Sequence, residues 1–305
     1  MDTAVRVEGL VKKYGEVAAL NGVSFGVRRN VIFGIAGPDG AGKTTLIRIL
    51  CGLLKADSGV IEMLVHRIPQ DYMKVRDSIG YLSQKFSLYS DLTVDENIRF
   101  IAEIHGVKDF KSRREELLEF TRMKKFRNFL AGNLSGGMKQ KLGLACTLIY
   151  RPKILLLDEP TTGVDPVSRR EFWLILAGLL NEDLTVIIST PYMEEAERFS
   201  EIALIENGRI LAVDTPDGIK GKIHKTVLEI VCTPARRAYD LITAKGEDEV
   251  QLFGDRVNVI LESESASEAE LTNMLKVNGV NIADLRRSRP SLENAFIHLM
   301  KAGKQ

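Results

Sequence analysis

At 305 residues the chain can hold one large domain or two modest ones, each with a real core. Its 42 lysines and arginines against 41 aspartates and glutamates leave a net charge of +1, so no general attraction to nucleic acid or an anionic membrane surface is implied, and any phosphate binding must be local. A hydrophobic content of 45% excludes a disordered or collagen-like chain, and Cys51, Cys146 and Cys232, far apart and without a CxxC pair, argue against a disulfide framework or a zinc cluster and fit a reducing cytoplasm.

The N-terminal residues carry no apolar leader, and no segment approaches the roughly 18 uninterrupted apolar residues of a membrane helix, so service to a membrane would come from outside it. Over residues 5–29 apolar and polar positions alternate around the turn residues Gly15 and Asn21-Gly22, which predicts paired strands of an antiparallel subdomain. Residues 31–36 predict a buried strand, a Gly-rich turn follows, and residues 44–54 predict a helix. Residues 96–127, charged and apolar at helical spacing, predict a helical insertion that runs on through 135–150. A strand is expected at 154–157, a helix at 171–180, a strand at 185–189 and a hairpin of 203–205 with 209–212 around Asn207-Gly208. Strands alternating with helices predict an α/β fold with a mostly parallel core sheet.

The pattern loosens over 215–225, and a separate small module is expected beyond it. Strand, helix, hairpin, helix and strand at 227–232, 235–243, 249–262, 267–276 and 282–286 give the order βαββαβ, a ferredoxin-like α+β arrangement. A final helix over 291–300 follows Pro290.

Three strings carry the chemistry. Gly37-Pro38-Asp39-Gly40-Ala41-Gly42-Lys43-Thr44-Thr45 satisfies GxxxxGK[ST] between a strand and a helix, where backbone N–H groups close around phosphates, Lys43 reaches the β/γ oxygens and Thr44 can ligate Mg²⁺. Asp39 is an unusual carboxylate for such a loop; it either points away or weakens binding. Asp158 and Glu159 end an apolar strand, where the first can hold Mg²⁺, usually through water, and the second can orient or deprotonate an attacking water. Leu134-Ser135-Gly136-Gly137-Met138-Lys139-Gln140 sets a hydroxyl and bare amides at a helix N-terminus, ready for an anion.

Together these strings make the chain resemble the ATP-binding subunit of an ABC (ATP-binding cassette) transporter over about residues 5–216. The resemblance implies a P-loop NTPase cassette at 1–221, with its helical insertion at about 86–150, and an accessory module at 226–305. It also implies ATP and Mg²⁺ as ligands, and head-to-tail pairing in which Ser135 and Gly137 address the γ-phosphate held by a second cassette, in a homodimer or an asymmetric heterodimer. By the same resemblance Tyr14 stacks on adenine, and Gln84 senses Mg²⁺ and the attacking water and begins the region facing a membrane subunit. Asp165 lies in the loop that crosses to the partner's nucleotide; read alone, Asp165-Pro166 equally starts a helix. Where the family has a histidine on the γ-phosphate, this chain has Pro191, which offers no donor, so slow turnover is implied.

The stretches 289–296 and 88–97 resemble cassettes of ABC-2-type exporters of the drug-resistance and antibiotic-export group. The function implied is MgATP hydrolysis by a cytoplasmic subunit, peripheral on the inner face of the cell membrane, energising a permease on a separate chain, with no nucleic acid partner. The alternatives are a nucleotide-binding regulatory subunit with little turnover and a soluble cassette ATPase outside transport. For residues 226–305 regulation, dimer contact and a cap over apolar surface all stay open.

Overall fold

The N-terminal alternation becomes a long antiparallel hairpin of β1 (Thr3–Tyr14) and β2 (Val17–Arg28), closed by Gly15-Glu16 between the paired Tyr14 and Val17. Its inward residues Val5, Val7, Leu10, Leu20, Val23 and Val27 are buried. Asn21-Gly22 does not turn the chain as the sequence suggested; it lies inside β2, where the register steps from Val11↔Asn21 to Leu10↔Val23. The pair is absorbed as a bulge because residues on either side keep their ladder partners. The computed structural model describes residues 3–84, 88–179, 183–223, 226–246, 249–261 and 267–302.

Strand β3 (Ile32–Ala36) is buried throughout and runs through the Gly-rich turn into α1 (Lys43–Leu50), which stops at Cys51, short of the expected residue 54. Next come β4 (Ser58–Met63), β5 (His66–Ile68), the single-turn α2 (Tyr72–Val75) and β6 (Ile79–Leu82), none anticipated from the sequence. The helical insertion holds α3 (Val94–Ile104), α4 (Phe110–Phe120) and α5 (Gly136–Leu148). Thr93 and Glu96 form a reciprocal capping box at the start of α3, each closing one of the donors a helix start leaves open. After β7 (Ile154–Asp158), α6 (Pro166–Leu179) begins at Pro166 rather than 171. Strand β8 (Thr185–Thr190), α7 (Met193–Ala196), β9 (Glu201–Glu206) and β10 (Arg209–Asp214) complete this part, with Asn207 and Gly208 both at positive φ between the last two strands.

These elements form two sheets, β2-β1-β4-β5 and β10-β9-β3-β8-β7-β6. In the second, β9, β3, β8, β7 and β6 pair parallel. Phe33 and Ile35 of β3, Leu46, Ile47 and Leu50 of α1, and Leu10, Leu20 and Met63 of the antiparallel sheet share one buried core. The registers Ala36↔Thr190, Asp158↔Ser189 and Leu82↔Leu157 bring the carboxyl ends of β3, β8, β7 and β6 to one edge, where ligands of open α/β sheets bind.

The chain divides into two compact units, residues 1–213 and 214–305. The second contains α8 (Pro216–Gly221), β11 (Thr226–Thr233), α9 (Ala235–Lys245), β12 (Val250–Phe253), β13 (Arg256–Leu261), α10 (Ser267–Val277), β14 (Asn281–Ser288) and α11 (Leu292–Ala302). From β11 to β14 the order is βαββαβ, with sheet order β12-β13-β11-β14, antiparallel throughout. Leu228, Ile230, Val257 and Val259 pack there against Ala238 and Ile242 of α9 and Leu271 and Leu275 of α10. Among the described residues no helix is long and apolar enough to cross a membrane.

Candidate functional site

The turn between β3 and α1 is shaped by what its residues must avoid. Gly42 caps α1 at φ 105°, and a Cβ built there would lie 2.3 Å from the Ala19 carbonyl oxygen, so only glycine brings the chain into the helix this close to β2. The Gly37 and Ala41 amides are committed to Thr190 O and Pro38 O, both at 3.2 Å. The first amides of α1 have no intrahelical acceptor, as at any helix start, and carry the positive end of its dipole. Lys43, 3% exposed, donates to Gly37 O at 2.8 Å and Pro38 O at 2.9 Å and pairs with Glu159 Oε1 at 3.1 Å. Asp39, the carboxylate that looked misplaced, has its side chain 90% exposed, with Oδ1 3.9 Å from the Lys43 ammonium; it points away from the loop's interior.

The carboxyl end of β7 meets this turn. Thr44 Oγ1 donates to Asp158 Oδ1 at 3.1 Å, and Ser189 Oγ, from the adjacent strand, donates to the same oxygen at 2.7 Å. Burial raises the Asp158 carboxyl above the usual aspartate range, the two hydroxyl bonds pull against that rise, and Glu159 next to it adds to it. The Glu159 backbone stands at φ 47° and its N–H donates to Ser189 Oγ at 3.0 Å, while Oε2 accepts from Gln84 Nε2 at 3.0 Å and Thr162 Oγ1 at 3.3 Å. Lys43, Thr44, Asp158, Glu159 and Gln84 are thus brought to one point from three segments far apart in sequence.

Ser135 and Gly137 belong to a second group. Ser135 Oγ accepts from Met138 N at 3.3 Å and caps α5. A Cβ on Gly137 would fall 2.4 Å from Ser168 Cβ, so α5 packs its glycine directly on the start of α6. Asp165 Oδ1 accepts from Ser168 N at 2.9 Å, a bond that holds its carboxyl below the usual range and opens α6. Tyr14, at the end of β1, is half exposed, with the Lys12 ammonium 5.7 Å from its ring centroid.

A family model described as "ABC transporter" matches residues 20–162. The daunorubicin resistance ATP-binding protein DrrA3 of Streptomyces coeruleorubidus is 33% identical over 303 residues, covering 98% of this chain and 96% of that one. The chain belongs to the ABC transporter ATP-binding family. The probable multidrug ABC transporter ATP-binding protein YbhF of Escherichia coli (strain K12) is 40% identical over 224 residues, 72% of this chain, and the chain spans only 39% of that relative's length. Among solved structures, cbiO1 from Clostridium perfringens, part of the ABC transporter complex cbiONQ, aligns with a TM-score of 0.66 at 27% identity over 73% of this chain and 92% of its own.

The donor set of this ABC cassette suits MgATP. A hydroxyl, a carboxylate and an amide carbonyl, from Thr44, Asp158 and Gln84, are the hard oxygen donors that Mg²⁺ takes, and the loop adds a lysine and helix-start amides for phosphate. Several contributors escaped the sequence reading. Ser189, Thr162 and Thr190 are ordinary hydroxyl residues, and only the register of β7 beside β8 shows that Ser189 stands against Asp158. Thr190 O, one residue before Pro191, is the acceptor that fixes Gly37. A Ser-Thr pair closing a buried strand of a parallel sheet was the available signal.

Proposed function

We propose that this chain binds MgATP and hydrolyses it as the energising subunit of a membrane exporter. The meeting of Lys43, Thr44, Asp158, Glu159 and Gln84 at one strand-end edge carries the reading. Thr44, Asp158 and Gln84 would hold Mg²⁺, which when bound offsets phosphate charge. Lys43 supplies a cation to the β/γ oxygens. Glu159, held by Gln84 and Thr162, orients a water and accepts its proton as the water oxygen bonds to the γ-phosphorus and the bridging oxygen departs on ADP.

Ser135 and the first amides of α5 serve the nucleotide of a second cassette in a head-to-tail pair, and Tyr14 supplies a stacking face for adenine. The drug-resistance and multidrug names of the relatives support export by a permease on a separate chain, with this subunit on the cytoplasmic face of the membrane. The test is Glu159→Gln in the full chain. ATP affinity should persist, turnover should fall by about 10²–10⁴-fold, and an ATP-dependent dimer should accumulate in size-exclusion chromatography. Turnover equal to wild type removes Glu159 from the role and the reading with it. Pro191 favours a second reading, a nucleotide-holding subunit with little turnover of its own; wild-type chain that retains ATP for many minutes without releasing phosphate would select it.

A further inference from the structure

Glu195 sits in the single turn of α7, 4% exposed. A carboxylate so deeply buried persists only where donors surround it. Its Oε1 accepts from Thr161 Oγ1 at 2.7 Å and from Trp173 Nε1 of α6 at 3.4 Å, and lies 3.6 Å from Arg169 Nε. Its Oε2 accepts from Thr190 Oγ1 at 2.7 Å. The Arg169 guanidinium also lies 4.7 Å from the centre of the Tyr192 ring.

Each hydroxyl leads to the site. Thr161 is buried beside Thr162, whose Oγ1 holds Glu159 Oε2, and its carbonyl accepts the Val164 N–H that closes the turn before Asp165. Thr190 accepts Tyr192 N on the same Oγ1 that donates to Glu195, at 3.1 Å, and its carbonyl holds the Gly37 amide. Pro191 between them has no N–H with which to fix that turn. One carboxylate therefore ties the segment that carries Glu159 to the segment that braces the phosphate loop.

Building on the ATPase reading above, we infer that Glu195 is a positioning residue for hydrolysis: through Thr161 and Thr190 it sets where Glu159 stands relative to the phosphate loop, without touching nucleotide. Because Pro191 cannot anchor its own turn on a phosphate, the placement of that turn rests on Glu195. A misplacement near 1 Å at a reacting group costs about 10²-fold in rate.

The test measures kcat at saturating MgATP, equilibrium ATP affinity and the thermal midpoint for full-length Glu195→Gln, Thr161→Val and Thr161→Ser. Glu195→Gln and Thr161→Val should lower kcat by about 10- to 100-fold with ATP affinity within about threefold of wild type, and Thr161→Ser, which keeps the hydroxyl, should stay within about twofold. Combining Glu195→Gln with Thr161→Val should add little to either alone, since both break one linkage. A role confined to stability would lower the midpoint and leave kcat untouched, which overturns the inference, as do fully additive effects or equal losses in Thr161→Val and Thr161→Ser. Should Glu195→Gln fail to fold, the Thr161 pair decides alone on the same criterion. Absence of turnover in the wild-type chain removes the ATPase reading and this inference together; wild-type turnover matched by Glu195→Gln removes this inference only.

Discussion

Ser189→Ala deletes one oxygen that serves two functional neighbours. Ser189 is fully buried, and its hydroxyl accepts the Glu159 N–H and donates to Asp158 Oδ1. Removing it leaves a buried amide without its acceptor, worth about 1–3 kcal/mol. At roughly 2–4 °C per kcal/mol for a unit of this size, the first melting transition should drop by about 2–12 °C. The same deletion takes from Asp158 one of the two hydroxyls that offset its burial and hold its Oδ1 in place, so its carboxyl should rise further and its oxygen be less well placed for Mg²⁺. Titrating Mg²⁺ at fixed ATP while following phosphate release should therefore show half-saturation moved to higher Mg²⁺, while excess metal restores part of the rate. An alanine variant that melts with wild type and needs no more Mg²⁺ would refute this account of Ser189.

Pro191→His should raise phosphate release by the full chain, by up to about 10²-fold if the imidazole reaches the transferring phosphoryl, and an unchanged rate means another group already makes that contact. Gly42→Ala should abolish nucleotide binding and lower the melting midpoint, because its Cβ meets the Ala19 carbonyl; calorimetric titration with ATP checks the first effect and a thermal scan the second. His105 lies flat on Tyr150 with ring centroids 3.8 Å apart, and the partial loss of water on that face holds its imidazole below the ordinary 6.5, with nearby Asp77 opposing and Arg76 adding to the effect. A depressed folded value means its contribution to stability is present above about pH 6.5 and lost as pH falls. Urea melts across that range should show wild type weakening faster than His105→Phe, and parallel curves would contradict the assignment. A chain ending at Val213 should fold and bind ATP, since that is where the first compact unit closes; insoluble product lacking ATP affinity argues the reverse.

What was legible in the sequence was what is local. The strings at 37–45, 134–140 and 158–159 each span only a few consecutive residues, and the strands expected at 31–36, 154–157 and 185–189 formed at 32–36, 154–158 and 185–190, buried because strands flanked on both sides become so. Strands β4, β5 and β6 escaped because short strands broken by Gly and Pro leave little periodicity. Asn21-Gly22 misled for the opposite reason: a strong turn signal was absorbed as a bulge by the pairing around it. Glu195 was given no role, since an acidic residue in a Met-Glu-Glu-Ala turn reads as solvated until Thr161, Trp173 and Thr190 are seen around it.

The parallel ladder of β3, β8, β7 and β6 acts as a comb. Neighbouring strands stand about 4.8 Å apart, and each strand end leads into a segment that carries one of the site's groups. Pro191 follows directly on the end of β8, and Asp158 and Ser189 keep their register beside it. The backbone spacing at this edge is thus set by the ladder, whatever side chain follows each strand end.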